Sequence, residues 1–278
     1  MSLKKLGRYE LVRVLGKGAM GIVYEGRDPN LDRRVAIKTV KVENLSEEAA
    51  AEYEARFRIE ARSAARLQHP NIVSVYDSDR DGDMAFLVME FIQGKDLKEH
   101  MDPGVRYTLA DALRIMRDLL AALDYAHACG VVHRDIKPAN VMHDAATGRV
   151  TVTDFGIASL DDAARTRTGL LLGTPDCMSP EQLSGAPVDG RSDLYALGVL
   201  LFRLLTGTAP HHDESMARLM HRIANEPAPD LRSLRPEVPG ALADVVALAL
   251  QKRPELRYSD GLEMAADLRS VAATLAPL

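Results

Sequence analysis

The sequence predicts an α+β protein of two lobes, a small antiparallel β lobe with one main helix and then a larger helical lobe. Three observations predict it. Apolar and polar residues alternate in short runs over roughly the first ninety positions, the period of half-buried strands. One alanine- and glutamate-rich stretch interrupts them with apolar residues at steps of three and four. After Gly94 the apolar residues recur at helical spacing almost to the end.

The alternation marks strands over residues 9–15, 22–27, 34–40, 72–78 and 84–90. Phe57, Ala61, Ala64 and Leu67 give one amphipathic helix between the third and fourth of these. Leu109, Ala112, Leu113, Met116, Leu120 and Leu123 open the helical lobe, and residues 194–205 and 242–250 continue it. The stretch 194–205 is apolar nearly all round, which predicts a buried central helix rather than a surface one. Residues 90–94 form the expected hinge, because the last strand ends there and Gly94 permits a turn. The lobes are therefore expected at 1–93 and 94–278, with a cleft between them as a natural nucleotide site.

With 278 residues, 46% of them apolar, the chain can bury a substantial core. No apolar run is long enough to span a membrane, and the start, Met1-Ser2-Leu3-Lys4-Lys5, lacks the apolar stretch of a signal peptide. A cytoplasmic chain without a membrane segment is expected. The net charge of −5 includes no basic block, which argues against a nucleic-acid or membrane-surface role. Cys129 and Cys177 lack metal-ligand spacing and are expected as reduced thiols.

The most informative run is His133-Arg134-Asp135-Ile136-Lys137-Pro138-Ala139-Asn140, followed by Asp154-Phe155-Gly156. Phosphoryl transfer needs a carboxylate near the incoming hydroxyl, a cation beside the migrating phosphate, and oxygen ligands for the hard ions that neutralise phosphate charge. Asp135, Lys137, Asn140 and Asp154 supply those types. The alternation at Val150 and Val152 predicts a small hairpin between the two runs, which would bring both to one cleft.

Near the N-terminus, Gly16, Gly18 and Gly21 lie between the strand-like pairs Val12, Val14 and Ile22, Val23. The run reads as a plain hairpin turn or as backbone that approaches phosphates without Cβ obstruction. No Gly-Lys-Ser/Thr ends it, which excludes a P-loop, and a strand rather than a helix follows, which disfavours a dinucleotide fold. Lys38 stands in a valine and isoleucine strand, where an ammonium is costly to bury unless paired. It is a strand-edge lysine facing water or a phosphate ligand. Glu52, Glu54 and Glu60 all fall on or near the helix, and local pattern alone does not select a partner for it.

Together with Val35-Ala36-Ile37-Lys38, Glu60 and Ser179-Pro180-Glu181, these runs resemble in order and spacing the protein-kinase family, specifically the bacterial serine/threonine kinases, over nearly the whole chain. The resemblance implies the bilobal protein-kinase fold, ATP with Mg²⁺ (or Mn²⁺), and protein substrates with Ser/Thr acceptors. It implies that Lys38 meets the α- and β-phosphates, held by Glu60, and that Asp135 is the catalytic base or orients the substrate hydroxyl. Lys137 would sit beside the γ-phosphate, Asn140 and Asp154 would hold the metals, and Thr174 would bond Asp135 and Lys137. His133 and Phe155 would be structural. Leu15, Val23 and Ala36 would roof the adenine, Met142 floor it and Met89 gate it, with backbone groups of Glu90 and Ile92 on the base. The same apolar residues also suit an ordinary core.

Further implications follow from the same family. Thr166 and Thr168 lie in a polar stretch that Arg134 could order once phosphate is added, and they match positions of autophosphorylation. Glu181 should meet Arg257 in a buried ion pair, and Asp193 should brace the catalytic loop. Cys177 departs from the pattern, since an aromatic residue is typical there. A homodimer through the N-terminal lobe would use Arg8, Leu31 and Asp77, and the chain would suit the cytosolic part of a membrane-anchored receptor kinase. The expected activity is that of an ATP-dependent serine/threonine protein kinase. An inactive kinase-like scaffold would not need Lys38, Asp135, Asn140 and Asp154 together. A small-molecule phosphotransferase would not need residues 173–181, which resemble a docking platform for a polypeptide.

Overall fold

The computed structural model describes residues 5–18, 21–41, 47–101, 104–155 and 175–275. It divides into two compact units. The first holds a six-stranded antiparallel sheet in the order β1-β2-β3-β4-β6-β5, with β1 at Lys5–Leu6, β2 at Tyr9–Gly18, β3 at Gly21–Asp28, β4 at Arg33–Lys41, β5 at Val75–Asp81 and β6 at Met84–Glu90. Helix α1, Glu47–Ala65, is the one helix of this unit among the described residues. Successive side chains of a strand point to opposite faces, and β4 and β6 use both faces for core. Val35, Ile37, Phe86 and Val88 join Leu6 and Tyr9 on one side. Ala36, Val40, Ala85, Leu87 and Met89 join Phe57 and Ala61 of α1 on the other.

β5 starts at Val75 rather than at residue 72, because Ile72 and Val73 are spent on the core, 2% and 4% exposed, before the strand pairing begins. Leu67 lies past the end of α1 yet is buried, reached through a tightened last turn in which its N–H donates to Ala64 O at 3.1 Å.

The second unit takes residues 94–153 and resumes after the undescribed segment. It carries a three-stranded sheet in the order β7-β8-β9, at Lys95–Asp96, Val141–His143 and Val150–Val152. Its helices among the described residues are α2 Leu97–His100, α3 Leu109–Ala128, α4 Pro180–Ser184, α5 Gly190–Thr206, α6 Met216–Asn225, α7 Leu231–Leu234, α8 Gly240–Ala249 and α9 Gly261–Thr274. As expected, α5 is a buried central helix: every residue from Ser192 to Phe202 is buried. Asp189 caps its start by accepting from Arg191 N–H, and Gly207 ends it at φ 79°, where a side chain would strain the backbone. Gly94, at φ 136°, is required for a second reason, since a Cβ there would lie 2.5 Å from His143 O.

Asp154 and Phe155 follow β9 but group with the first unit, not with the helical one where a boundary at 93/94 puts them. The cause is local. Both line a small cavity with Ala64, Ile72, Leu87 and Met89, and Asp154 is ion-paired to β4. No helix among the described residues is long and apolar enough to cross a membrane.

Candidate active site

In the first unit the glycine run is the closed end of the β2–β3 hairpin, with Gly16 opposite Val23 and Gly18 opposite Gly21. Gly21 has no substitute: a Cβ on it would lie 1.7 Å from Thr39 O. Thr39 fixes that approach, its hydroxyl donating to Ile22 O at 2.9 Å and accepting from Ile22 N–H at 3.2 Å. Val23 pairs with Lys38 across β3–β4, and Ala36 with Met89 across β4–β6. Ala36 and Met89 are buried against α1, with Ile92 packed on the same cluster, whereas Leu15 is 39% exposed. The Glu90 N–H donates to Ser74 O at 2.8 Å. Lys38 is not a strand-edge lysine facing water. Its side chain is 12% exposed, and Nζ lies 2.8 Å from Asp154 Oδ1. Glu60 is buried on α1, 8% exposed, but it is Asp154, not Glu60, that Lys38 meets in this structure.

In the second unit the loop after α3 converges on Asp135. Lys137 Nζ donates to Asp135 Oδ2 at 2.7 Å, and Asn140 Nδ2 donates to Asp135 O at 2.8 Å and to Oδ2 at 3.0 Å. Pro138–Asn140 form a 3-10 turn that turns Asn140 inward, and Met142 follows on β8. Because the Asn140 amide nitrogen is committed to Asp135, its Oδ1 is the atom left to face a ligand, an oxygen donor of the type that Mg²⁺ takes. His133 is fully buried and bonded at both ring nitrogens, Nδ1 accepting from Asp135 N–H at 3.2 Å and Nε2 donating to Thr153 O at 2.8 Å. It is structural, as its sequence setting suggests.

Arg134, just before Asp135, and Asp154 itself hold an uncommon backbone. Arg134 sits at φ 68° and Asp154 at φ 63°, each a cost on the order of 1–3 kcal/mol that surrounding bonds must outweigh. For Arg134 the bond is visible. Asp193, at the start of α5 and 1% exposed, accepts from Arg134 N–H at 2.8 Å and from His133 N–H at 2.9 Å. It also contacts His127 Nε2 of α3 at 2.8 Å. In an Asp193→Asn variant one oxygen becomes an NH₂ group set against a backbone donor. Such a misplaced loop should lower turnover at this site by about 10–10²-fold with little change in ligand affinity, a split that steady-state kinetics resolves.

Further support comes from α4. Ser179 and Gln182 form a capping box, and Gln182 Nε2 reaches Arg134 O at 2.6 Å. The expected Glu181–Arg257 pair is present and buried, at 2.7 Å for both oxygens. Ser192 adds a hydrogen bond to Glu181 Oε1 at 2.6 Å. Cys177 lines a small cavity with Arg134, Asp135, Lys137, Gln182 and Asp193. Burial, then the neighbouring Asp176, push its thiol up to about 12, so it stays protonated and unreactive at neutral pH. Cys129 is exposed, and both cysteines are free. At pH 8, iodoacetamide followed by peptide mass spectrometry should label Cys129 about tenfold or more faster than Cys177.

Thr166, Thr168 and Thr174 lie outside the described residues. Of the other expected residues, the structure places Leu15, Gly16, Gly18, Gly21, Val23, Ala36, Lys38, Glu60, Met89, Glu90, Ile92 and Asp154 in the first unit, and Asp135, Lys137, Asn140 and Met142 in the second. Residues that the sequence reading did not single out are Thr39, His127, Gln182 and Ser192. Only Gln182 has a readable signal, the Ser-x-x-Gln spacing of a capping box.

Residues 9–268 match the family model described as the protein kinase domain. The serine/threonine-protein kinase PrkC of Bacillus subtilis is 39% identical over 265 residues, covering 95% of this chain and 40% of the relative. A probable serine/threonine-protein kinase PknB of Lactococcus lactis is 39% identical over 263 residues, covering 94% and 41%. The serine/threonine-protein kinase PknA of Mycobacterium tuberculosis is 38% identical over 277 residues, covering 98% and 63%. The chain thus spans about two fifths of the length of the first two of these relatives. With a matching family model over nearly all of its length, the chain belongs to the protein kinase domain family.

Proposed function

We propose that this chain is an ATP-dependent serine/threonine protein kinase that transfers the γ-phosphate to Ser/Thr hydroxyls of proteins and is switched by autophosphorylation at Thr166 or Thr168. The observation that carries the reading is the Asp135 carboxylate, whose Oδ2 is fixed by Lys137 at 2.7 Å and Asn140 at 3.0 Å. That arrangement leaves Oδ1 to meet an incoming hydroxyl. Asp135 takes the hydroxyl proton as the oxygen bonds to the γ-phosphorus and the bond to the departing ADP oxygen breaks. Lys137 places a cation where charge gathers on the migrating group. Lys38 orients the α- and β-phosphates, and the Glu90 carbonyl and Ile92 N–H meet the base, the Glu90 N–H being already committed to Ser74. Asn140 and Asp154 would hold Mg²⁺ (or Mn²⁺), which supplies charge neutralisation on the phosphates.

Incubation with Mg²⁺ and ATP, followed by phosphosite mapping beside an Asp135→Asn control, tests this. Phosphate on Thr166 or Thr168 in the parent alone is the expected result. ATP binding without phosphate on the chain or on a protein substrate would instead favour the scaffold. A homodimer through Arg8, Leu31 and Asp77 belongs to the same proposal. Its support is Leu31, 62% exposed beside an Arg8–Asp77 ion pair of 2.9 Å. Sedimentation of a Leu31→Asp variant should give monomer where the parent gives dimer. We place the chain on the cytoplasmic side, where ATP is available.

A further inference from the structure

Lys252 follows α8 in the second unit, and its setting is unlike that of the other lysines whose side chains are described. Lys5, Lys38, Lys95 and Lys137 face carboxylates at 3.9, 2.8, 3.4 and 2.7 Å, while Lys17 and Lys98 are exposed. Lys252 is half-buried and, among the described residues, pairs with no carboxylate. Its Nζ instead donates to Ile223 O at 2.7 Å and contacts His211 Nε2 at 3.1 Å. The charged groups acting on it are Arg257 and Glu226, and Glu226 is already paired to Arg222 at 3.0 Å; Arg222 and His212 face the neighbouring His211. Lys252 also lines a cavity of about 460 Å³ with Asn225, Leu231, Ala247, Leu250 and Gln251, a volume in the range of small-molecule sites. Asp230, Arg232 and Asp244 share that wall, and Asp230 and Arg232 neutralise each other at 2.9 Å.

We propose that Lys252 is an acylation site whose amine takes the acyl group from an activated acyl donor, such as an acyl phosphate, entering this cavity. The Nζ lone pair bonds to the acyl carbon, the carbon–oxygen bond to phosphate breaks with its electron pair leaving on phosphate, and the nitrogen gives one proton to water. The product is a neutral amide. Burial, then the Arg257 cation, lower the Lys252 pKa to about 8 against the pull of Glu226. Burial, then Lys252 itself, bring His211 down to about 4. The imidazole is therefore neutral and can accept from the amine, which leaves the nitrogen lone pair for attack.

Acetyl phosphate added to the full chain at pH 7 to 9.5, with acetylation quantified at each lysine by mass spectrometry, tests the proposal in folded protein and in urea. In the folded chain at pH 7.5, Lys252 should acetylate about tenfold faster than Lys98, because an ordinary lysine near 10.4 is almost wholly protonated there. Its rate should level off above pH 8 while that of Lys98 keeps rising, and its advantage should vanish in urea. A Lys252 rate no greater than that of Lys98, or one that climbs in parallel with Lys98 through pH 9, would overturn it, as would an advantage that persists in urea.

Discussion

An Asp135→Asn variant should lose about 10²–10⁴-fold in phosphotransfer rate and keep its fold and its affinity for ATP. Asparagine matches aspartate in size, so packing around the loop is preserved. What changes is chemistry. The amide cannot take a proton from a substrate hydroxyl, and in the rotamer that keeps Oδ1 toward the substrate, its NH₂ would oppose the Lys137 ammonium and the Asn140 amide, now at 2.7 and 3.0 Å from Oδ2. The side chain then flips or Lys137 leaves, and either outcome removes the fixed acceptor. Radiolabel transfer from γ-labelled ATP to a protein substrate measures the rate, and a thermal shift with and without ATP measures fold and binding. A variant as fast as the parent would remove Asp135 from the chemistry. A slow variant that no longer binds ATP would mean that the residue holds the fold instead.

The sequence made the strands legible where neighbouring side chains all had somewhere to go. β4 and β6 alternate between two cores, one under α1 and one behind it, so both show unbroken Val, Ile, Leu and Phe patterns. Helices α6 and α9 were not read, and the reason is physical. Only Leu219 and Ile223 of α6 are buried, and α9 buries Met264, Leu268 and Val271 along with Gly261. In α9 so narrow a stripe scarcely stands out among exposed alanine, whereas α6 is amphipathic but only ten residues long.

At the site, residue types were legible and partnerships less so. Asp135, Lys137 and Asn140 lie within six positions, so their cluster is local. Lys38 is a different case. Its ammonium could be assigned a carboxylate in advance, but which one depends on tertiary placement, and the pair formed is with Asp154. Likewise nothing in the chain near Asp193 announces His127, 66 positions away. The clash that makes Gly21 irreplaceable comes from Thr39 on a neighbouring strand, so it is visible only once the register is known.

Arg257→Met should destabilise the protein by about 3–5 kcal/mol, the usual cost of removing one member of a buried ion pair. The Arg257 side chain is fully buried, and Glu181 is 6% exposed. The guanidinium makes five hydrogen bonds: two to Glu181 at 2.7 Å, and one each to the carbonyls of Gln251, Lys252 and Arg191 at 2.7, 3.0 and 3.2 Å. Methionine fills much of the volume but leaves the Glu181 carboxylate and three carbonyls without their donor. The Ser192 hydroxyl and the backbone N–H of Glu181 would still serve the carboxylate. For a chain of this length the melting temperature should fall on the order of 10 °C, and a shift under about 2 °C would show that the pair contributes little. The pH dependence gives a second handle. Burial alone would raise the Glu181 pKa, but the hydrogen bonds from Arg257 and Ser192 outweigh it and hold the group below its ordinary value. Since its folded pKa is lower than its unfolded one, the ionised form stabilises the fold above roughly pH 4.3, the ordinary glutamate value, and that contribution is lost as pH falls through the folded pKa. In Arg257→Met the buried carboxylate loses its cation and its pKa should rise, so acidification from pH 7 to 4 should narrow the gap in melting temperature between variant and parent. A gap that stays constant across that range would mean that the loss of the carbonyl contacts, rather than of the charge pair, sets the cost.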